Sequence, residues 1–150
     1  MLKIVYINGT IDGTLPLDPA RLTGDLNIDR ASDYVRQFES GKFVSFGADG
    51  MAKLAIDGDY GIGPLVLDAF GQELENVPAL ASGKMGFLIG GGVVETDMVV
   101  EGNIVAGDKL YLGTGVSAGY LTTVVGNGPV VAVARTANST ADKTVRVQVL

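Results

Sequence analysis

From residue 107 to residue 150, apolar and polar positions alternate in short runs separated by glycine. Lys109-Leu110-Tyr111-Leu112, residues 120–125, Val130-Val131-Ala132-Val133-Ala134 and residues 144–150 each read as a strand. Turns are expected at Gly107-Asp108, at 113–119, at Gly126-Asn127-Gly128-Pro129 and at 138–142. In the last run Val145, Val147 and Val149 alternate with Thr144, Arg146 and Gln148, so one face is apolar and the other polar. The same succession occurs earlier: a run over 41–47, a turn at Asp49-Gly50, a run over 51–56, a turn over 57–63, and Pro64-Leu65-Val66-Leu67. Pro64 and Pro129 lie 65 positions apart and Gly41 and Gly107 lie 66 apart, so the two blocks keep register to within one residue. That spacing predicts an internal duplication.

The rest of the chain is less regular. Residues 2–7 read as a strand that stops at Asn8-Gly9. Residues 10–28 carry Pro16, Pro19, Gly13 and Gly24 among isolated leucines, which fits neither a helical nor a strand period and predicts an extended arm. Residues 29–38 are the one expected helix, capped by Asp29 or Ser32 and ended by Gly41. Residues 68–83, polar and broken by Pro78, form a connector. The apolar runs 85–89 and 93–100 flank Gly90-Gly91-Gly92, which reads as a hairpin turn or bulge. The expected fold is all-β, a small β-barrel or β-sandwich with two related strand blocks, one short helix and an extended N-terminal arm. Its organisation is a strand and arm over 1–28 followed by a β-domain over 29–150.

Composition narrows the chemistry. With 150 residues, 47% hydrophobic and 19% charged, the chain makes one domain whose apolar surplus fits an interface between subunits. There is no His and no Cys, which removes imidazole bases, thiolate nucleophiles, disulfides and the usual zinc sites. A net charge of −6 opposes binding to nucleic acid or to an anionic membrane. Residues 1–8 meet Asn8 and Gly9 before a signal-peptide core can develop. The longest apolar stretch, 85–94, contains four glycines and is too short to span a bilayer, so a soluble protein is expected.

Four constellations were weighed for chemistry. Glu95-Thr96-Asp97 followed by Val99-Val100-Glu101 resembles the swinging-arm segment of lipoyl and biotinyl carrier domains, but Met98 occupies the place of the modified lysine, leaving an acidic turn. Asp49, Asp57 and Asp59 lie in glycine turns as calcium ligands do, without the spacing of a calcium loop, and read as turn residues. Asp12-Gly13-Thr14 has the wrong order for an aspartic-protease motif. The glycines at 61–64 and 126–129 lack the Lys-Ser or Lys-Thr of a phosphate loop. The expectation is a protein that is not an enzyme, with no cofactor and no metal.

Gly107-Asp108-Lys109-Leu110-Tyr111, Gly119-Tyr120-Leu121-Thr122-Thr123, the run from Gly128 to Ala134, and Val145-Arg146-Val147 together resemble the C-terminal half of the decoration, or cement, proteins of tailed-bacteriophage heads. The resemblance covers about 41–150 and departs at Val131, where members often carry Gly. It implies a β-tulip-like fold and a structural virion protein on the capsid exterior, assembled in the cytoplasm of a host bacterium. The implied partners are the major capsid protein and further copies of itself, commonly in a homotrimer. In that setting the arm is the candidate capsid contact, through Leu15, Pro16, Leu17, Pro19 and Leu22. The alternative is an adhesive or carbohydrate-binding β-module, which the absence of Trp and an aromatic content of 7% disfavour.

Overall fold

A computed structural model describes residues 2–16, 38–60, 63–66 and 84–150. The expected helix over 29–38, apart from Phe38, the arm residues 17–28 and the connector 68–83 lie outside them. In chain order the strands are β1 (Leu2–Ile7), β2 (Thr10–Pro16), β3 (Phe43–Phe46), β4 (Ala52–Leu54), β5 (Gly63–Pro64), β6 (Lys84–Ile89), β7 (Gly92–Thr96), β8 (Lys109–Leu112), β9 (Leu121–Thr122), β10 (Ala132–Ala134) and β11 (Val145–Val149). A single 3-10 turn, Gly115–Ser117, is the one helical element among the described residues. The fold is all-β, and every strand pairing is antiparallel.

One sheet has the order β1-β7-β11-β10-β8-β9. The other places β4-β3-β5 beside β6-β2, joined by the Leu65–Phe87 bridge and by the Val66 N–H donated to Gly86 O at 3.1 Å. The sheets do not close into a barrel; among the described residues β1 and β9 are the end strands of the first, with residues 98–100 running alongside β9. Phe43, Ala55 and Leu88 from one sheet and Val94, Leu110, Leu121, Ala132 and Val147 from the other belong to a single buried cluster, as in a sandwich. Full burial of a side chain such as Leu88 or Leu110 stabilises by about 1.5–3 kcal/mol. β11 alternates as its sequence predicts, with Val145, Val147 and Val149 buried and Arg146 and Gln148 exposed.

The duplication is visible in the strand order. β3 lies between β4 and β5, as β8 lies between β9 and β10. Extending outward, β4-β3-β5-β6-β2 in one sheet matches β9-β8-β10-β11-β7 in the other. The halves differ after their first strand, where 47–51 corresponds to the three-residue-longer 113–120, so Pro64, opposite Phe43, corresponds to Val133, opposite Lys109, and the register expected from Pro64 and Pro129 is corrected. The longer loop ties the halves together: Phe43 N–H donates to Gly119 O (2.9 Å), and Gly119 N–H donates to Ala55 O (2.7 Å).

Two expectations are corrected. Gly90-Gly91-Gly92 is not a hairpin turn, because β6 and β7 do not pair with each other. Residues 2–16 run antiparallel to 84–96 as one ribbon that leaves the first sheet for the second at Asn8-Gly9, opposite Gly90-Gly91. The Asn8 N–H donates to Gly91 O across this corner (3.2 Å), and a Cβ on Gly9 would lie 1.7 Å from Ile89 O, so the strands cross only where a side chain is missing. The second correction concerns the arm. Its first part, Thr10–Pro16, is β2 and pairs with β6, with Leu15 opposite Met85 and Pro16 opposite Lys84. A register shift between Asp12 and Leu15 breaks the period of two, which is why the sequence there does not look like a strand.

Candidate interaction surfaces

The residues weighed for chemistry take structural positions. Met98 is buried at 7% exposure, with its N–H on Thr96 Oγ1 (3.0 Å). It sits in no hairpin tip, since 98–100 run alongside β9: Leu121 N–H donates to Met98 O and Val100 N–H to Leu121 O. Asp49 accepts from Met51 N–H (3.0 Å), while Asp59 accepts from Ile56 N–H (3.0 Å) and pairs with Lys53 at 2.8 Å. Burial would raise the Asp59 pKa, and the Lys53 hydrogen bond, the Ile56 N–H and the Lys53 charge outweigh it, holding the carboxyl below its usual range. Asp57 accepts from Asn127 N–H (2.7 Å) and Gly128 N–H (3.0 Å). The glycine loop at 126–129 is thereby wrapped around a carboxylate of the protein itself. Among the described residues no three acidic side chains gather as an ion site. Of the candidate capsid contacts, Leu15 and Pro16 lie in β2, and Leu17, Pro19 and Leu22 fall outside the described residues.

Lys42 is the buried cation among the described residues, its side chain 5% exposed. Its Nζ lies 3.4 Å from Glu39 Oε1 and 5.2 Å from the centre of the Tyr120 ring, so the charge is met by a carboxylate and an aromatic face. Burial, followed by the charges of Glu39 and Asp97, pushes the Tyr120 phenol up. Lys42 belongs to the first half and Tyr120 to the second, and the contact pins the two at the same junction as Gly119.

Two exposed surfaces lie at opposite edges of the six-stranded sheet. Near β1 the register places Lys3, Glu95 and Arg146 in one row across β1, β7 and β11, and Tyr6, Val93 and Gln148 in another. The Arg135 N–H donates to Arg146 O (2.7 Å), which extends the first row by a further cation. Glu95 serves two of these cations, Arg146 at 2.6 Å and Lys3 at 3.9 Å. The Arg146 hydrogen bond, against a small effect of burial and with the Lys3 and Arg146 charges, lowers the Glu95 pKa. Arg135 has no carboxylate partner among the described residues. It lines, with Tyr6 and Val93, two adjoining grooves of about 440 and 430 Å³, and Tyr6 is 60% exposed.

At the β9 edge the chain leaves the sheet after Thr122. The Thr122 hydroxyl and the Thr123 N–H both donate to Glu101, at 2.5 and 3.1 Å, and Val124 and Val125 project at 67% and 73% exposure. A groove of about 260 Å³ there is lined by Asp57, Glu101, Val100 and Val124, and the Lys143 ammonium donates to Val100 O at its rim (2.9 Å).

The sequence matches no family model, and no curated protein is similar enough to count as a relative. No helix among the described residues is long and apolar enough to cross a membrane. Sequence reasoning singled out neither Tyr6 with Arg135 nor Asp57 with Asn127. The signal present for the first was an aromatic in an edge strand and a cation in a glycine-poor turn, 129 positions apart in the chain.

Proposed function

We propose that this chain is a decoration protein of a tailed-phage head, a structural protein that binds the outer surface of the capsid as a homo-oligomer and stabilises the shell. The observation that carries the reading is the pair of exposed apolar surfaces at opposite edges of one rigid sheet, around Tyr6 and around Val124 and Val125. A cementing molecule must contact more than one neighbour at once, and each contact can be modest because many copies act together. A protein that binds only the expanded shell stabilises it by mass action. The duplicated β-fold and the sequence resemblance over 41–150 support the same reading. The partners are then the major capsid protein and further copies of the chain, and the site of action is the virion exterior.

The test is addition of purified protein to expanded shells that lack it, from the virus that encodes it. Saturable co-sedimentation and a higher shell melting temperature are expected. Shells that neither bind the protein nor gain stability would refute the reading.

A further inference from the structure

We propose that the Tyr6–Arg135 face of one copy docks against the acidic β9 edge of the next, a head-to-tail contact that closes copies into a ring. The proposal rests on the self-association in the reading above and specifies its surfaces. The groove at the β1 edge is lined by Arg135 and Arg146, of which Arg146 is paired with Glu95, leaving a net positive charge, whereas the groove at the β9 edge is lined by Asp57 and Glu101 with the Lys143 ammonium on Val100 O at its rim (2.9 Å), leaving a net negative one. Each is bordered by exposed apolar side chains, Val5 and Tyr6 at one edge and Val124 and Val125 at the other. Tyr and Arg are the side chains that most often anchor protein interfaces. Arg135 is the cation that Glu95 leaves unmatched.

Charge also selects the geometry. Copies of a chain carrying −6 repel one another, so association needs a face where opposite charges meet. A two-fold contact of the β1 edge with itself would set Arg135 and Arg146 against their own copies, and a two-fold contact of the β9 edge would do the same with Asp57 and Glu101. Only the head-to-tail pairing is complementary at both ends. Such a pairing forms rings when the rotation closes. Six strands separate the two faces by about 24 Å, enough for one copy to engage two neighbours at once.

The experiment is sedimentation velocity of the full chain across micromolar concentrations, in low and high salt. Wild type is expected at a multiple of 15.5 kDa that dissociates as salt rises. Arg135→Glu and Val125→Lys, both at exposed positions, should each weaken association by about tenfold or more while the thermal melt stays unchanged. Mixed together, the two variants retain one unaltered pair of faces and should associate more strongly than either variant alone. Wild type that associates while both variants associate equally well would overturn the proposed surfaces and leave the functional reading in place. Self-association of Val125→Lys at wild-type strength would show a two-fold contact instead and overturn the head-to-tail geometry. A wild type that is monomeric throughout would remove the self-association itself, and this inference with it.

Discussion

Replacing Asp57 by Ala removes the acceptor on which the Asn127 and Gly128 N–H groups close, at 2.7 and 3.0 Å. Asp57 follows β4 in the first half, and Asn127 precedes β10 in the second, so the lost bonds join the halves. A hydrogen bond to a charged group contributes about 1.5–3 kcal/mol, and because water reaches this half-buried site the lower end applies, giving about 3 kcal/mol for the pair. Asp57→Asn keeps one carbonyl oxygen but turns an NH2 group toward the other donor, so it should lose about half of that. For a domain of this length, each kcal/mol moves the melting temperature by about 2–4 °C, which predicts a fall of about 6–12 °C for Ala and about half as much for Asn. Scanning calorimetry reads the fall, and amide exchange at Asn127 and Gly128 reads its cause. The surrounding glycines fit the same picture, since a Cβ on Gly128 would lie 2.3 Å from Gly58 N and one on Gly126 would lie 2.3 Å from the Asp57 carboxylate. Melting of both variants within about 1 °C of wild type, with unchanged exchange, would show that the clamp holds nothing and that the loop is placed by other contacts.

Further outcomes follow from the corner, the core and the carboxylates. Gly9→Ala puts a methyl 1.7 Å from Ile89 O and should cost roughly 3 kcal/mol or more, whereas Gly107→Ala, at φ 96° with nothing within 4 Å of the new Cβ, should cost only about 1–2 kcal/mol of backbone strain. Chemical denaturation of the two side by side checks the order. Leu110→Ala empties a fully buried site and should cost about 2–5 kcal/mol by the same assay. Asp59 has a lowered pKa, so its contribution is complete above the unfolded-state value near 3.8 and is lost as pH falls through the lower folded value. Lys53→Met should therefore flatten the dependence of melting temperature on pH below about 4, and an unchanged slope would contradict the Lys53–Asp59 pairing.

The sequence made most of the second half legible because its strands carry one buried and one exposed face. β11 is the clearest case, and β8 follows it with Leu110 and Leu112 buried. The run over 120–125 was legible only in part. Val124 and Val125 are apolar and read as strand, yet they lie beyond Thr122, the last residue of β9, where Glu101 accepts from the Thr122 hydroxyl and the Thr123 N–H. An acceptor 21 positions away leaves no periodic trace. The corner was hidden for a different reason: Gly9 and Gly90 read as turns, because glycine marks a close approach of two backbones and a tight reversal with the same letter. The surface pairing of Tyr6 with Arg135 depends on three strand registers between β1 and β10, none of them local in sequence.

The duplication bears on function through the way its halves differ. Two identical halves would give a molecule with like surfaces at both ends, and such surfaces can join only through self-complementary, two-fold contacts. Here the matched order of five strands ends at β2 in one sheet and at β7 in the other, and among the described residues β7 alone receives a further strand, β1, on its outer edge. β1 brings Lys3 and Tyr6 to that edge, beside Arg135 and Arg146. At the other edge, the three extra residues between β8 and β9 let the second half reach Phe43 and Ala55, and the Asp57 clamp fixes the loop that precedes β10. The ribbon through Gly9 and Gly90 continues β1 directly into β2 of the other sheet, so the cationic edge is fixed in place by both halves at once. One edge of the sheet has thus become cationic and aromatic, the other acidic and aliphatic, on a scaffold whose strand order is otherwise repeated. A repeated scaffold with unlike edges can be joined head to tail without frustration, and that is the geometry the proposed ring of copies requires.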